Sequence, residues 1–321
     1  MKVQAALLTL CLSPIAAFLP HVAAFQEQTG SFLLSVLRRD GVVVPFAAFD
    51  GRRWSKRWPE RLPTERPISL DDIPDSWWGV KPPPRRMHRW SDGVRNGEVT
   101  VTAPAIGALM CEQRMTLRSD YTSSQPAPPR FVLPFPKDGL LVSGEVAVAK
   151  IETMDPASAD GAAVLALALD DFNREESAAA SAFTAWRHPV KPADRKKVPV
   201  TLEALYRAPT DDADSLAYFI EAVRQYPPDP KEPDGCGLAT YVSGWVVTSP
   251  QRTNVRIGAQ VTFCDRKGVG YMLPFGLVRA DGKNYWVFQY AGFESESYAV
   301  IRPHRRGVEA AVSYNAGSCG R

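Results

Sequence analysis

From residue 200 to residue 314 the chain is a succession of short runs rich in Val, Ile, Tyr, Phe and Trp, divided by turn-forming residues, and this pattern restricts it to antiparallel sheet. The runs lie at 200–207, 216–226, 238–247, 254–264, 270–279, 284–293, 297–302 and 308–314. Their connections, Asp281-Gly282 the clearest, are too short for the crossover helices that parallel strands need. Two runs predict their own depth. Val255, Ile257, Ala259, Val261 and Phe263 alternate with Arg256, Gln260 and Thr262, as in a strand with one wet face. The run 285–293 is apolar on both faces, which predicts a central strand covered on both sides.

The first half repeats the theme. Runs at 32–37 and 42–49 flank Arg39-Asp40-Gly41, a hairpin pattern. Alternation resumes through Val99, Val101, Met115 and Leu117, and strand-like composition returns at 131–135 and 140–151 after the Ser/Pro-rich stretch 121–130. Val44-Pro45-Phe46-Ala47 before Asp50-Gly51 is echoed by Leu273-Pro274-Phe275-Gly276 before Asp281-Gly282, and more briefly by Leu133-Pro134-Phe135 before Asp138-Gly139. The expected fold is therefore mainly β, antiparallel sheets in meander order. Barrel-like or propeller-like closure would be the ways to use hairpin repeats. One long amphipathic helix interrupts this at 157–185. Asp155-Pro156 opens it, and Leu165, Leu169, Phe172, Ala179, Phe183 and Trp186 form its apolar stripe, with Glu176 or a neighbour at the exposed edge. The organisation read from this is a leader at 1–24 and an N-terminal β region at 25–150. A helical segment at 151–197 and a C-terminal antiparallel region at 198–321 follow.

Residues 1–24 read as an export signal: a basic Met1-Lys2, an apolar core at 3–19 broken by Ser13-Pro14, and Val22-Ala23-Ala24 before a cleavage point at Phe25. The core is shorter than the ~20 apolar residues of a membrane span. Leu10 is too bulky to precede a lipidated cysteine, so Cys11 belongs to the signal core. A secreted or periplasmic chain can carry disulfides, and Cys111, Cys236, Cys264 and Cys319 are an even set. A hairpin centred near Pro250 sets Cys236 opposite Cys264 and leaves Cys111 for Cys319. No cysteine or histidine spacing suits a metal, so none is expected.

The formal charge of +3 is too small to imply a polyanionic partner by itself. Its distribution is uneven. Between 52 and 95 a Trp/Arg/Pro-rich segment interleaves Arg52, Arg53, Lys56, Arg57 and further basic residues with Trp54, Trp58, Trp77, Trp78 and Trp90. These five tryptophans are candidate ligand-binding residues, since indole faces stack on sugar rings. The candidate partners are a glycan, an anionic envelope polymer or another exported protein, and export argues against nucleic acid. The competing role for the same residues is a cover that plugs its rings into a β core.

Signatures of catalysis are absent: the chain has no Gly-x-Ser-x-Gly, His-Glu-x-x-His, phosphate-loop or dinucleotide motif. His88, His188 and His304 sit beside Arg or Pro in turn-like stretches, where surface histidines are expected. One constellation is sharper. A hairpin of 200–207 with 216–226 sets Glu203 opposite Glu221, and paired carboxyls suit glycoside hydrolysis. Asp211-Asp212-Ala213-Asp214 lacks the spacing of a calcium loop and reads as a hydrated turn. The expected function is that of an exported binding or structural protein of the envelope or extracellular space, without cofactor. The alternative is a secreted glycoside hydrolase using Glu203 and Glu221.

Overall fold

The computed structural model describes residues 30–126, 128, 134–182, 188–228 and 237–319. The leader 1–24 and the cleavage point at Phe25 lie outside the described residues. The chain is mainly β, its sheets are antiparallel, and it carries one long helix.

The first sheet contains β1 (Phe32–Arg38), β2 (Val42–Phe49), β3 (Trp54–Ser55), β4 (Arg86–Ser91), β5 (Val94–Leu109), β6 (Glu112–Ser119) and β7 (Lys137–Val142). Their order is β1-β7-β4-β5-β6-β2-β3, and β1 also pairs with β2, so the hydrogen-bonded circuit closes on itself with β3 appended. The expected hairpin forms, with Val36 opposite Val44. Gly41 turns it at φ 78°, where a Cβ would stand 2.9 Å from the Tyr121 carbonyl oxygen. The Pro-Phe echo has a local cause. Register slips past Phe46 in β2, where Ala47 pairs with Leu34 and Pro45 with Ser35. A proline has no N–H for the ladder, so both places suit a bulge.

The strands β8 (Val148–Ala149) and β9 (Glu152–Thr153) are close in sequence but begin separate sheets. One is the meander β9, β10 (Thr201–Pro209), β11 (Leu216–Gln225), β12 (Leu238–Ser249) and β13 (Arg252–Phe263). The other is β8, β14 (Gly270–Ala280), β15 (Lys283–Gly292), β16 (Ser295–His304) and β17 (Gly307–Ser318). In β14 the slip falls at Phe275, between Pro274 and Gly276, as it fell at Phe46. Both phenylalanines pack on the Tyr298 ring, at 5.4 and 6.3 Å between centroids. The echo is thus shared bulge chemistry, not a propeller repeat, because the sheets differ in strand number and order.

The layers stack in series. Trp286 and Phe288 of β15 meet Phe219 and Trp245 of the β9–β13 sheet, with Trp245 and Trp286 edge to face at 4.9 Å. Tyr285 and Val287, on the opposite face of β15, join the core of the first sheet. The two-faced strand is central, as its sequence implies. On the outer face of the β9–β13 sheet, Val164, Ala168 and Phe172 of the long helix pack on Leu205, Ile220 and Val242. In β13, Val255, Ile257 and Ala259 are half-buried against this cluster, whereas Phe263 is 58 % exposed. The expected wet face of β13 is dry at two places. Asn254 and Thr262 are buried, bonded to the carbonyl oxygens of Arg306 at 3.0 Å and Lys267 at 3.2 Å.

Among the described residues two short α-helices flank the long one: α1 (Asp75–Trp78) and α3 (Pro192–Arg195), with α2 (Ala159–Ser181) between them. Ser158 caps α2, its hydroxyl accepting the Gly161 N–H at 3.1 Å. Its buried stripe runs through Val164, Ala168, Phe172, Glu176 and Ala180, keeping Phe172 of the expected stripe but taking the neighbours of Leu165, Leu169 and Ala179. Leu169 is exposed, and Phe183 and Trp186 lie outside the described residues. Glu176, expected at the exposed edge, is 1 % exposed. Its carboxylate is ion-paired with Arg224 of β11 and accepts the Tyr226 hydroxyl. Arg224 also donates to Val198 O at 3.0 Å and Asn173 Oδ1 at 2.9 Å.

Cys111, at the β5–β6 turn, is bonded to Cys319 after β17, across a sequence separation of 208. Cys264 is also in a disulfide, and Cys236, its expected partner, lies outside the described residues.

Glu176→Ala leaves the Arg224 guanidinium buried without its carboxylate and should cost about 3 to 5 kcal/mol of unfolding free energy in denaturant titration. Replacing Glu176 and Arg224 together by Met should cost less than that single change. A single change costing under about 1 kcal/mol would show that the pair does not anchor the helix.

Candidate functional site

The segment between β2 and β4 lies across the first sheet and ends its short helix α1 on Gly79, in the left-handed region at φ 68°. A Cβ there would stand 2.7 Å from Ala48 Cβ, so only glycine lets this cover approach β2 so closely. Trp58 is 3 % exposed, donates its indole N–H to Met115 O at 2.9 Å, and packs edge-on to Trp77 and Trp78 at 5.9 and 5.4 Å. Trp78 is buried as well. Trp54 pairs with Phe49 at the end of β2 and is half-buried among Phe32, Phe49 and Tyr285, each about 5 Å from its ring. Trp77 and Trp90 are half-buried against the same core. The five tryptophans are therefore not one platform: two are enclosed, and Trp54, Trp77 and Trp90 keep part of a ring accessible.

Beside Trp54 an open cleft of 810 Å³ is lined by Arg53, Arg57, Lys81, Asp50 and Asp75 among others. The acidic groups are engaged. The Asp50 carboxylate accepts the backbone N–H groups of Arg53 at 2.8 Å and Arg52 at 2.9 Å, and these bonds hold its pKa below the ordinary value. Asp75 lies 3.3 Å from Lys81 Nζ, both exposed. Among the described residues no ion pair joins Arg53 or Arg57 to a carboxylate, although the Arg53 charge helps to hold the Asp50 carboxyl down, and both arginines are exposed. The cleft thus offers guanidinium groups beside an aromatic edge.

The structure brings Glu203 and Glu221 near one another, with a changed register. A bulge between Leu202 and Ala204 sets Ala204, not Glu203, opposite Glu221. Glu203 is held by Arg266 in a two-pronged ion pair with both contacts at 2.6 Å. Glu221 points between the two meanders and is 4 % exposed. Its Oε1 accepts the Met272 N–H at 2.7 Å, from the part of β14 beyond its pairing with β8. Burial raises the Glu221 pKa; the Met272 N–H and the Tyr241 hydroxyl oppose the rise, and the Glu203 charge adds to it. Tyr241 and Tyr290 line the same interior, their hydroxyls pushed up by burial and by the Glu221 charge. Tyr290 also meets Ser243 Oγ at 2.9 Å. Such a carboxyl can hold a proton into a higher pH range than a surface acid. Tyr241, Ser243 and Tyr290 are not among the candidates that spacing and motif point to. Their polar tips on inward-facing positions of β12 and β15 were the available clue.

The other titratable groups have structural partners. Asp211, expected in a hydrated turn, accepts the Asn284 N–H and the Arg302 Nε–H, tying the β10–β11 turn to the neighbouring sheet. His88, His188 and His304, expected at the surface, are half-buried; His188 stacks edge-on to Tyr226 at 4.8 Å, and burial lowers its pKa. Among the described residues no group of His, Cys, Asp and Glu is arranged to hold a metal. No described helix is long and apolar enough to cross a membrane.

Trp58→Ala should lower unfolding free energy by about 3 to 5 kcal/mol in denaturant titration, as for a buried ring; a loss under about 1 kcal/mol would contradict its burial. Glu221 gives a pH signature. Because its folded pKa is raised, its contribution to stability is full at acidic pH and is lost as pH rises from the ordinary carboxylate range toward the raised value. Glu221→Gln should remove that decline. The stability difference between variant and parent should therefore move in favour of the variant as pH rises, and a difference constant with pH would refute the assignment.

No family model matches this sequence, and no curated protein or solved structure is significantly similar to it.

Proposed function

We propose that this chain is an exported binding protein of the cell envelope or extracellular space, and that it holds an anionic glycan or anionic envelope polymer in the cleft beside Trp54. The observation that carries the reading is the convergence there of Arg53, Arg57 and Lys81 on a half-buried indole, with neither arginine paired to a carboxylate among the described residues. Guanidinium forks match carboxylate and sulfate oxygens, and an aromatic edge packs on the apolar face of a sugar. The disulfides are consistent with an oxidising compartment. Binding of this kind needs no cofactor.

Glycoside hydrolysis through Glu203 and Glu221 is the second reading. The raised pKa of Glu221 favours it, since a general acid needs its proton near neutrality. The occupation of both Glu203 oxygens by Arg266 and the burial of Glu221 weigh against it.

The test is calorimetric titration of the processed protein with a polyuronate and with an uncharged glucan, alongside Arg53→Ala/Arg57→Ala. The polyuronate should bind, weaken as salt is raised, and bind the double variant at least about tenfold more weakly, while the melting temperature stays within a few degrees. Equal binding by parent and variant, or none by the parent, would overturn the proposal. Release of reducing sugar that Glu221→Gln abolishes would establish the hydrolase instead.

A further inference from the structure

The sheets end on strands that are poor templates for further pairing, with one exception. Among the described residues, the terminal strands β3, β8 and β9 are two residues long. The terminal strand β17 slips register twice, and side chains take its N–H groups: Glu60 Oε1 accepts that of Asn315 and Glu112 Oε1 that of Ser318, both at 2.9 Å. Shortness, bulges and side-chain cover all keep an edge from pairing with another chain. The exception is β13. It ends the β9–β13 sheet, runs for 12 residues, contains no proline and pairs with β12 without a slip.

Ser249 and Arg252 stand opposite one another across a two-residue turn, and the Cys264 N–H donates to Gly237 O at 3.0 Å, so the even-numbered residues of β13 bond to β12. The N–H and C=O groups of Val255, Ile257, Ala259 and Val261 therefore point out of the sheet edge, and among the described residues they have no partner outside the ladder. The α2 cluster packs on the side chains of Val255, Ile257 and Ala259, which is a face of β13 and not its edge. Between them lies Gly258, exposed, where an added Cβ would meet nothing within 4 Å. Its φ is not left-handed, so nothing within this chain calls for glycine there. A glycine inside a strand marks a place where another backbone comes close.

We infer that β13 pairs antiparallel with β13 of a second copy about a twofold axis at Gly258, joining two β9–β13 sheets into one. The strand is self-complementary about that point. Val255 falls opposite Val261, Ile257 opposite Ala259, Arg256 opposite Gln260 and Asn254 opposite Thr262, so apolar meets apolar and no like charges face each other. Residues with free backbone groups meet residues with free backbone groups, which gives about a dozen main-chain hydrogen bonds. Phe263, 58 % exposed, comes opposite Thr253 of the second copy. Moving the axis to Ile257 would set Val261 opposite Thr253 and leave Phe263 beyond the ladder. A twofold pairing also closes: each copy uses up the edge of the other, and no filament grows. The strand β13 gives no residue to the cleft beside Trp54, so a dimer carries two such clefts.

The experiment is analytical sedimentation of the processed protein up to about 100 μM, where the parent should dimerise with a Kd at or below about 10 μM. Gly258→Asp sets two carboxylates opposite one another only in the dimer. It should weaken association at least about tenfold, while the melting temperature at dilute, monomeric concentration stays within a few degrees. Gly258→Cys should cross-link two copies on mild oxidation, since a pair without mutual hydrogen bonds sets its Cα atoms about 4.5 Å apart, within disulfide reach. Arg256→Cys should not, because the same residue of the second copy lies four positions along, about 13 Å away. Arg53→Ala/Arg57→Ala should dimerise like the parent, so this inference and the glycan reading fail separately. A parent that stays monomeric at about 100 μM would overturn the inference and leave the edge bare or open to a strand of another protein. A dimer that Gly258→Asp does not weaken, or cross-linking by Arg256→Cys as ready as by Gly258→Cys, would overturn it too.

Discussion

The strand β15 has no face that it can turn to water, and the rest of the molecule is arranged to cover it. Trp286 and Phe288 point one way and Tyr285 and Val287 the other, so a sheet must lie on each side. At roughly 25 cal/mol per Å² of apolar surface, leaving either face wet would forfeit several kcal/mol. On one side the cover is the β9–β13 sheet, which is apolar on its far side too and so takes α2 as a further layer. On the other it is the first sheet, whose circuit of strands is sealed by the Trp-rich segment.

Each junction between layers also carries a charged lock. Glu176 and Arg224 join α2 to the sheet beneath it. Asp211 and Arg302 join that sheet to the β14–β17 sheet, and Lys137 and Glu296 join the latter to the first sheet. Hydrophobic contact is tolerant of sliding, whereas an ion pair that is buried, or half-buried like that of Asp211 with Arg302, is satisfied at one relative position of its two layers. Lys137 illustrates the tension: burial lowers its pKa, and the Glu296 carboxylate opposes that shift. The apolar layers supply the stability, and the locks select the register.

Local pattern made most of this legible. The hairpin of β1 and β2, the meander, the central place of β15, the existence of α2 and the Cys111–Cys319 bond all follow from periodicity, turn residues and elimination. What escaped depends on distant partners. Glu176 is polar and looks like a solvent edge until Arg224, far along the chain, is placed beside it. The one-residue bulge at Glu203 leaves no mark in composition, yet it moves a carboxyl away from its expected opposite. The closure of the first sheet rests on short pairings such as Val43 with Leu117, which no run of residues announces. For the site, Arg53 and Trp54 were visible as a cluster, but which tryptophans keep an accessible ring was decided by packing.

The central claim is that the layers on either side of β15 stand or fall together. Native-state hydrogen exchange across a denaturant series measures this directly. The account predicts that the slowest amides lie in β15, that they exchange only through global unfolding, and that their opening free energy equals that from the denaturation of the first sheet. Opening of β9–β13 or of the first sheet at a free energy well below the global value, with β15 still protected, would contradict it.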